Sequence, residues 1–486
     1  MHEKSLKKNL ILNYIKTITG ILFPMITFPY ATRILLTEGM GKVKFVYSII
    51  VYLQLIASLG IYAYAIREGT KYRDDKEKIS KFASEMLCIN LLSMVVSYII
   101  MFVILLLPKM QPYRTELLLY SLVLFFGVIG VDWLYSIYED FAYITIRAVL
   151  FQVLSLVLLF LLVKKPEDTN KYILITVISA AGSSVFNIVH SRIYVKWFSD
   201  RKTYQLKRHM KPILILFGMT LATKVYLNMD TIMITMMKGD HYSGLYSAAV
   251  QMNSVLSTVI TAISGVTLPR LSLYIGKNHW GQFQELVKKT MHYLMFATIP
   301  TIIGLFFISK NVIVLVCGEP FVDASITMKI MLPNLFCSIM NGFIAYQIFT
   351  PCGKEKWAFM ATIAGAIINF ILNSLLIPIW AQNGAAIATV LTEMVIFIIC
   401  VVYSKKLLDI RNIFHGIYKY FVASVAYPVI YYGLVQMGIK GNLAMVVLEI
   451  SLGTIGYLLL LLVIKCEFML NILNEVGSFW RKRKNG

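Results

Sequence analysis

The chain predicts an all-α integral membrane protein of about fourteen transmembrane helices: two pseudo-symmetric six-helix bundles around a central cavity, plus two C-terminal helices. Three observations predict it. The 486 residues are 58% hydrophobic and only 15% charged, against about a quarter charged in an ordinary soluble domain. The apolar residues fall into long runs, each near the ~20 residues that a spanning helix needs. The runs are also interrupted by ionisable residues in or near their ends: Lys16, Arg33, Arg147, Lys224, Asp230 and Glu393. A charge at the bilayer centre costs roughly 2.5–3.5 kcal/mol on insertion scales, so several in one chain imply a polar cavity, and a cavity implies cargo.

The runs place spans over 9–36, 43–66, 82–107, 117–138, 142–163 and 172–195. A second set covers 211–238, 245–269, 290–308, 325–350, 357–377 and 384–403, and a last pair covers 415–436 and 443–464. The opening residues lead into an apolar run too long for a signal peptide and without a small-residue cleavage site, so the first span is expected to be retained. The expected divisions are 1–200 and 201–404 for the bundles and 405–486 for the last two helices with a basic tail. A faint repeat supports this: one shift of 203 residues lays Gly41 on Gly244, Arg67 on Arg270 and the third span on the ninth. Six spans per copy keep the two copies in the same orientation, and transporters with such parallel repeats bind cargo at the repeat interface.

The net charge of +21 would suit nucleic acid, but its placement suits a membrane. Basic residues cluster at Lys4–Lys8, Arg67–Lys81, Lys196–Lys211, Arg270–Lys289, Lys405–Arg411 and Arg481–Lys484, after even-numbered spans or at the termini. The positive-inside rule then puts both termini in the cytoplasm. The six cysteines and seven histidines are scattered without metal-ligand spacing. With no GxxxxGK[ST] loop the chain has no nucleotide-hydrolysing site of its own. No cofactor is called for.

Helical spacing gathers the polar interruptions onto faces. In the seventh span Thr220, Lys224, Asn228, Thr231 and Thr235 form one stripe, with Asp230 on a neighbouring face. The eighth carries Gln251, Ser254, Thr258, Thr261 and Gly265, and the tenth Asn334, Ser338 and Asn341. The first has Asn13, Lys16, Gly20 and Thr27, the eleventh Gly365, Asn369 and Asn373, and the twelfth Thr389 and Glu393. Small and hydroxylated residues at this spacing also serve as plain helix–helix contacts. Arg33 and Arg67 sit where a long side chain can reach the interface, Arg147 where Asp132 or Glu139 could pair with it. Glu393 is either a structural acceptor or a titrating group. Pro24 and Pro29 are expected to break the first helix; Pro269, Pro300, Pro333, Pro378 and Pro428 invite the same reading, with a static kink as the alternative.

Ordered motifs add a resemblance. Pro29-Tyr30-Ala31-Thr32-Arg33 with Glu38-Gly39-Met40-Gly41 resembles the end-of-first-span signature of Wzx-type bacterial polysaccharide repeat-unit flippases, members of the multidrug/oligosaccharidyl-lipid/polysaccharide (MOP) exporter superfamily. Similar to the same family are Gly130-Val131-Asp132-Trp133-Leu134-Tyr135, Glu139-Asp140-Phe141-Ala142-Tyr143-Ile144 with Arg147, and Val163-Lys164-Lys165 with Asp168. So are Gly244-Leu245-Tyr246-Ser247-Ala248-Ala249, Leu268-Pro269-Arg270, and Asn383-Gly384-Ala385-Ala386 through Glu393. The resemblance covers the first twelve spans in order; Thr37 is a mild departure.

It implies flipping of undecaprenyl-diphosphate-linked oligosaccharide to the outer leaflet of the bacterial cell membrane by alternating access. The expected cargo-binding residues are Lys16, Arg33, Arg67, Arg147, Lys224, Asn228, Gln251, Arg270, Asn334, Asn369 and Asn373. Asp230 and Glu393 are the expected sites for a coupling H⁺ or Na⁺. Polysaccharide polymerase and chain-length proteins are the expected partners; nucleic acid is not one. A drug/cation antiporter of the same superfamily is the nearest alternative, although its cavity should favour acids over the cations seen here. A membrane-embedded glycan polymerase would need a sizeable outer loop, whereas the long loops here are basic and placed in the cytoplasm.

Overall fold

A computed structural model describes residues 6–198 and 203–474; the side chains of 6–18, 21, 219–227 and 410–411 lie outside the described set. The chain divides into two compact units, Met1–Ser247 and Ala248–Gly486. The first holds α1 (Leu6–Ser58), α2 (Ile61–Gly69), α3 (Lys76–Leu105), α4 (Arg114–Ile129), α5 (Asp132–Ile137), α6 (Phe141–Leu162), α7 (Thr169–Ala181), α8 (Ser184–His190), α9 (Leu206–Lys238) and the start of α10 (Asp240–Gly276). The second holds the rest of α10, then α11 (Trp280–Cys317), α12 (Ala324–Phe343), α13 (Glu355–Ser404), α14 (Ile410–Phe414), α15 (Tyr418–Ala423), α16 (Ala426–Gln436) and α17 (Asn442–Val463). Among the described residues ten helices are long and apolar enough to cross a membrane.

The helices are built inside out relative to a soluble protein. On α3 the residues Leu92, Val95, Val96, Ile99, Phe102 and Val103 are exposed, and on α6 so are Leu150, Val153, Leu154, Val157 and Leu161. Such continuous apolar stripes suit lipid. The opposite face of α3 buries Ser80, Ser84, Glu85, Asn90, Ser93 and Ser97. Asn90 Nδ2 (2.9 Å) and Ser93 Oγ (2.7 Å) both donate to the Ala57 carbonyl, and Ser97 Oγ donates to that of Leu53 at 3.0 Å. Interhelical bonds of this kind hold transmembrane helices together at ~0.6–2 kcal/mol each. Asp75 caps α3 by accepting from the backbone of Glu77 and Lys78. The Lys78 ammonium and those two donors hold its carboxyl below the usual range.

The first helix corrects one expectation. Pro24 and Pro29 do not break it: α1 runs through both, and its non-helical residue is Leu36, with φ 59°. A proline removes one donor and bends a helix without having to end it. The turn at Leu36 separates what the sequence reads as the first two spans. The same occurs in α13 at Ala381, φ 47°. Elsewhere the expected spans are split. The fourth is α4 and α5 around Val131 (φ 42°), and the sixth is α7 and α8 around Gly182.

Gly41 and Gly244, aligned by the repeat, meet in the first unit. A Cβ on Gly41 would collide with the Asp240 carbonyl, and one on Gly244 with the Thr37 carbonyl. Thr37 Oγ1 lies 2.8 Å from His241 Nδ1, and Tyr113 donates to Asp240 at 2.9 Å. Backbones approach this closely because each helix presents a glycine, with no Cβ, to the other's carbonyl.

The two split spans face each other. The break at Gly130–Val131 leaves a carbonyl outside the helical ladder, and Asn187 Nδ2 donates to it at 2.7 Å and to Asp132 Oδ1 at 2.7 Å. Tyr135 donates to the Asn187 carbonyl at 2.7 Å. Tyr143 and His190 stack 4.0 Å apart, with Tyr135 stacked 5.1 Å from Tyr143. Broken helices survive in membranes only where protein or water satisfies the freed groups. Replacing Asn187 by Leu keeps the bulk and removes the donor. The expected loss is about 1–3 kcal/mol, read as a lower melting temperature of the detergent-solubilised protein; an unchanged melt would show that the break is satisfied without it.

Candidate functional site

The cations expected to meet an anionic cargo lie in different settings. Lys16 lies in α1 and Lys224 in α9, and both side chains lie outside the described residues, as do those of Asn13, Thr220, Thr223 and Tyr226. Arg33 and Arg67 are exposed in the first unit, and Arg270 is exposed in the second. Arg67 Nε donates to Glu68 at 3.1 Å and its guanidinium lies 5.6 Å from the Tyr64 ring. Arg147 is buried, 8% exposed. Its Nη2 donates to Asp132 Oδ1 at 3.1 Å, and its guanidinium lies 5.6 Å from the Tyr143 ring. Of the two acids the sequence offers it, Asp132 is the partner; Glu139 accepts from Arg73 at 3.4 Å instead. Arg147 Nε and Nη1 find no hydrogen-bond partner among the described residues.

The polar stripes divide into packed and open faces. On α9 Asn228 and Thr231 are half-buried and Thr235 is buried. Asp230, also on α9, is buried and accepts from the Tyr246 hydroxyl at 2.5 Å. The α10 stripe is different: Gln251 and Thr261 are half-buried, while Ser254, Thr258 and Gly265 are exposed. Thr258 and Thr261 return their hydroxyls to the carbonyls of Ser254 (2.8 Å) and Ser257 (2.7 Å). Val259, Val266 and Leu273 on the same helix are exposed as well.

In the second unit the amides pair with each other and with the acid. Asn369 and Asn373 are fully buried one turn apart on α13, and Asn373 Nδ2 donates to Asn369 Oδ1 at 3.0 Å. Glu393 is buried in the same helix beyond the Ala381 turn, and Asn341 Nδ2 from α12 donates to its Oε2 at 2.5 Å. Asn334 is half-buried, with an Oδ1 that has no partner among the described residues. The structure therefore joins Arg147 to Asp132, Asp230 to Tyr246, Asn369 to Asn373, and Glu393 to Asn341. Arg33, Arg67 and Arg270 are each solvent- or lipid-accessible.

Several polar features escaped the sequence reading. Asn187 lies in a stripe with Ser184 and Ser191 at helical spacing, and that stripe was an available signal. Glu449 lies seven residues into α17, fully buried, with both carboxyl oxygens unpartnered among the described residues; an acid inside an apolar run was the available signal. A π-helical turn over Ile344–Phe349 turns Gln347 toward α10, where it accepts from Thr267 at 2.9 Å and donates to the Ser264 carbonyl at 2.9 Å. No sequence pattern announces a π turn, although such turns collect at functional positions.

Comparison with known proteins converges on one group. A protein of Staphylococcus aureus, the capsular polysaccharide biosynthesis protein CapF, is 22% identical over 414 residues, covering 82% of this chain and 99% of its own. A Shigella dysenteriae protein provisionally described as an O-antigen transporter is 23% identical over 394 residues, covering 80% of this chain and 98% of its own. Among solved structures the fold is similar to the lipid II flippase MurJ in an inward closed conformation. There the TM-score is 0.73 at 15% identity, covering 93% of this chain and 98% of that one. The MatE family profile matches residues 215–375. The profile described as polysaccharide biosynthesis protein matches residues 6–275, more than half of the sequence, and the chain belongs to that family.

Proposed function

We propose that this protein flips undecaprenyl-diphosphate-linked oligosaccharide repeat units from the cytoplasmic to the outer leaflet of the bacterial cell membrane, for surface polysaccharide synthesis. It is a transporter of the MOP superfamily and not an enzyme. The observation that carries the reading is the family match over residues 6–275 on a chain built of membrane-length helices. A diphosphate and a sugar cannot cross hydrocarbon unaided, and an exposed polar face on a long membrane helix, as on α10, is what a water-filled path requires. The MatE match over 215–375 favours drug/cation antiport as the second reading. The preponderance of Lys and Arg over acids among the interrupting charges speaks for an anionic cargo instead.

The finer architecture belongs to the same proposal. Counting α1 and α13 as two spans each, and adding α9 and the α15–α16 pair, brings the ten long helices to fourteen. These form bundles over 1–200 and 201–404 with an appendage over 405–486, and both termini are cytoplasmic. Lys16, Arg67 and Arg270 attract the diphosphate on the cytoplasmic side, Lys224 holds it at mid-depth, and Arg33 meets it toward the outer side. Arg147 contributes its two unsatisfied nitrogens, and Asn228, Gln251, Asn334, Asn369 and Asn373 serve the glycan. The lipid tail stays in the bilayer throughout. Polymerase and chain-length proteins receive the product.

A deletion strain should accumulate lipid-linked repeat units on the cytoplasmic side and lose surface polysaccharide. Extraction and mass analysis of the lipid pool decide this, and a normal pool with acquired drug sensitivity would favour antiport. Lys224→Ala should insert normally and block surface polysaccharide, with Lys224→Arg restoring most of it; wild-type polysaccharide from Lys224→Ala would remove that role. Asp230 and Glu393 bind the coupling H⁺ or Na⁺, so flipping in proteoliposomes should respond to a pH or Na⁺ gradient and lose that response in Asp230→Asn or Glu393→Gln. Flipping indifferent to pH, Na⁺ and potential would dismiss ion coupling.

A further inference from the structure

The second unit holds a cavity that the transport reading does not use. It measures about 480 Å³ and lies between the first turns of α11, the segment leading into α15, and the helical residues 467–474 beyond α17. That volume falls in the ~300–1,000 Å³ range of small-molecule sites. Its walls carry Lys288, Lys289, His415 and Lys419, against two acids, Glu285 and Glu467. Lys288 Nζ donates to the neutral Asn412 amide oxygen at 2.9 Å, and Lys419 Nζ to the Lys465 backbone carbonyl at 3.0 Å. Neither lysine has a carboxylate within ion-pair distance among the described residues.

The floor is rigid. His292 Nδ1 lies 2.8 Å from the buried Tyr420 hydroxyl, and the His292 ring stacks on Phe468 at 5.6 Å. Lys288 and Lys419 both line the space beside these rings. Three lysines against two carboxylates leave the wall net cationic, and an anion entering it gains from that charge.

The rim indicates where the anion comes from. Tyr418 lines the cavity and is 64% exposed. It starts an exposed stripe through Phe421, Val422 and Val425, at helical spacing of three, four and seven. That stripe is a lipid-facing surface running directly from the cavity mouth, with a tyrosine where aromatic residues mark the membrane interface. Basic pockets between helices on the cytoplasmic side suit phosphate headgroups, and the neighbouring basic segments place this end in the cytoplasm.

We propose that this cavity binds the phosphate headgroup of an anionic inner-leaflet phospholipid, with Lys288 and Lys419 as its principal ligands and the acyl chains lying along Tyr418, Phe421, Val422 and Val425. The site stands apart from the flipping path and does not depend on the cargo assigned above. The test uses the delipidated full chain in neutral detergent, titrated with phosphatidylglycerol, phosphatidylcholine or inorganic phosphate, and reads thermal stabilisation and lipid adducts by native mass spectrometry. Phosphatidylglycerol should stabilise the wild type saturably and phosphatidylcholine should not. The Lys288→Gln/Lys419→Gln double variant should bind phosphatidylglycerol about thirtyfold more weakly, while Lys288→Arg/Lys419→Arg retains binding and reports that the fold is intact. Equal phosphatidylglycerol affinity in the Gln variant and the wild type, or equal stabilisation by phosphatidylcholine, would overturn the site. Equal stabilisation by inorganic phosphate alone would overturn the lipid assignment and leave a site for free phosphate.

Discussion

Hydrocarbon offers no hydrogen-bond partner, so each backbone or side-chain polar group inside the membrane must be satisfied by the protein or by water in a cavity. Most of this structure follows from that constraint. It explains why α3 turns its serines, Asn90 and Glu85 inward and its branched apolar residues outward. It explains why the break at Gly130 is accompanied by Asn187, whose amide serves the freed carbonyl and Asp132 together. It also explains why Arg147, alone in an apolar helix, is buried against an acid and an aromatic face. Each of these groups would be tolerable in water without a partner; in lipid each dictates what must stand beside it.

The same constraint separates structural polarity from polarity available to cargo. Ser93, Ser97 and Asn90 spend their donors on neighbouring helices and are covered. Ser254, Thr258 and Gly265 are exposed along α10, and the Thr258 and Thr261 hydroxyls donate to carbonyls of their own helix. Asp230 and Glu393 are buried, and Tyr246 and Asn341 respectively donate to them.

Much of the fold was legible because the bilayer imposes one length scale. Apolar runs of membrane length showed the helices, whereas the close approach of Gly41 and Gly244, equivalent positions of the repeat, came only from the fold. The ordered motifs also pointed to the right family, and two of them lie at breaks: Glu38 to Gly41 just past the turn at Leu36, and Gly130 to Asp132 around Val131. What was not legible were partners. Arg147 had two acids within reach in sequence, and only the fold at Val131 and Asp140 turns Asp132 toward it and leaves Glu139 to Arg73. The prolines of the first span misled because a proline marks a missing donor, not the place where a helix stops; the stop is at Leu36.

The sequence by itself determined the class of the protein, the order of its apolar runs and the family, because these depend on composition and local spacing alone. The tertiary structure decided which polar residues are glue and which are open, where spans split, and that lysines from α11 and the α15 segment converge on one cavity with residues beyond α17. Those outcomes depend on which helix stands beside which, and neighbours far apart in the chain leave no periodic signature in it.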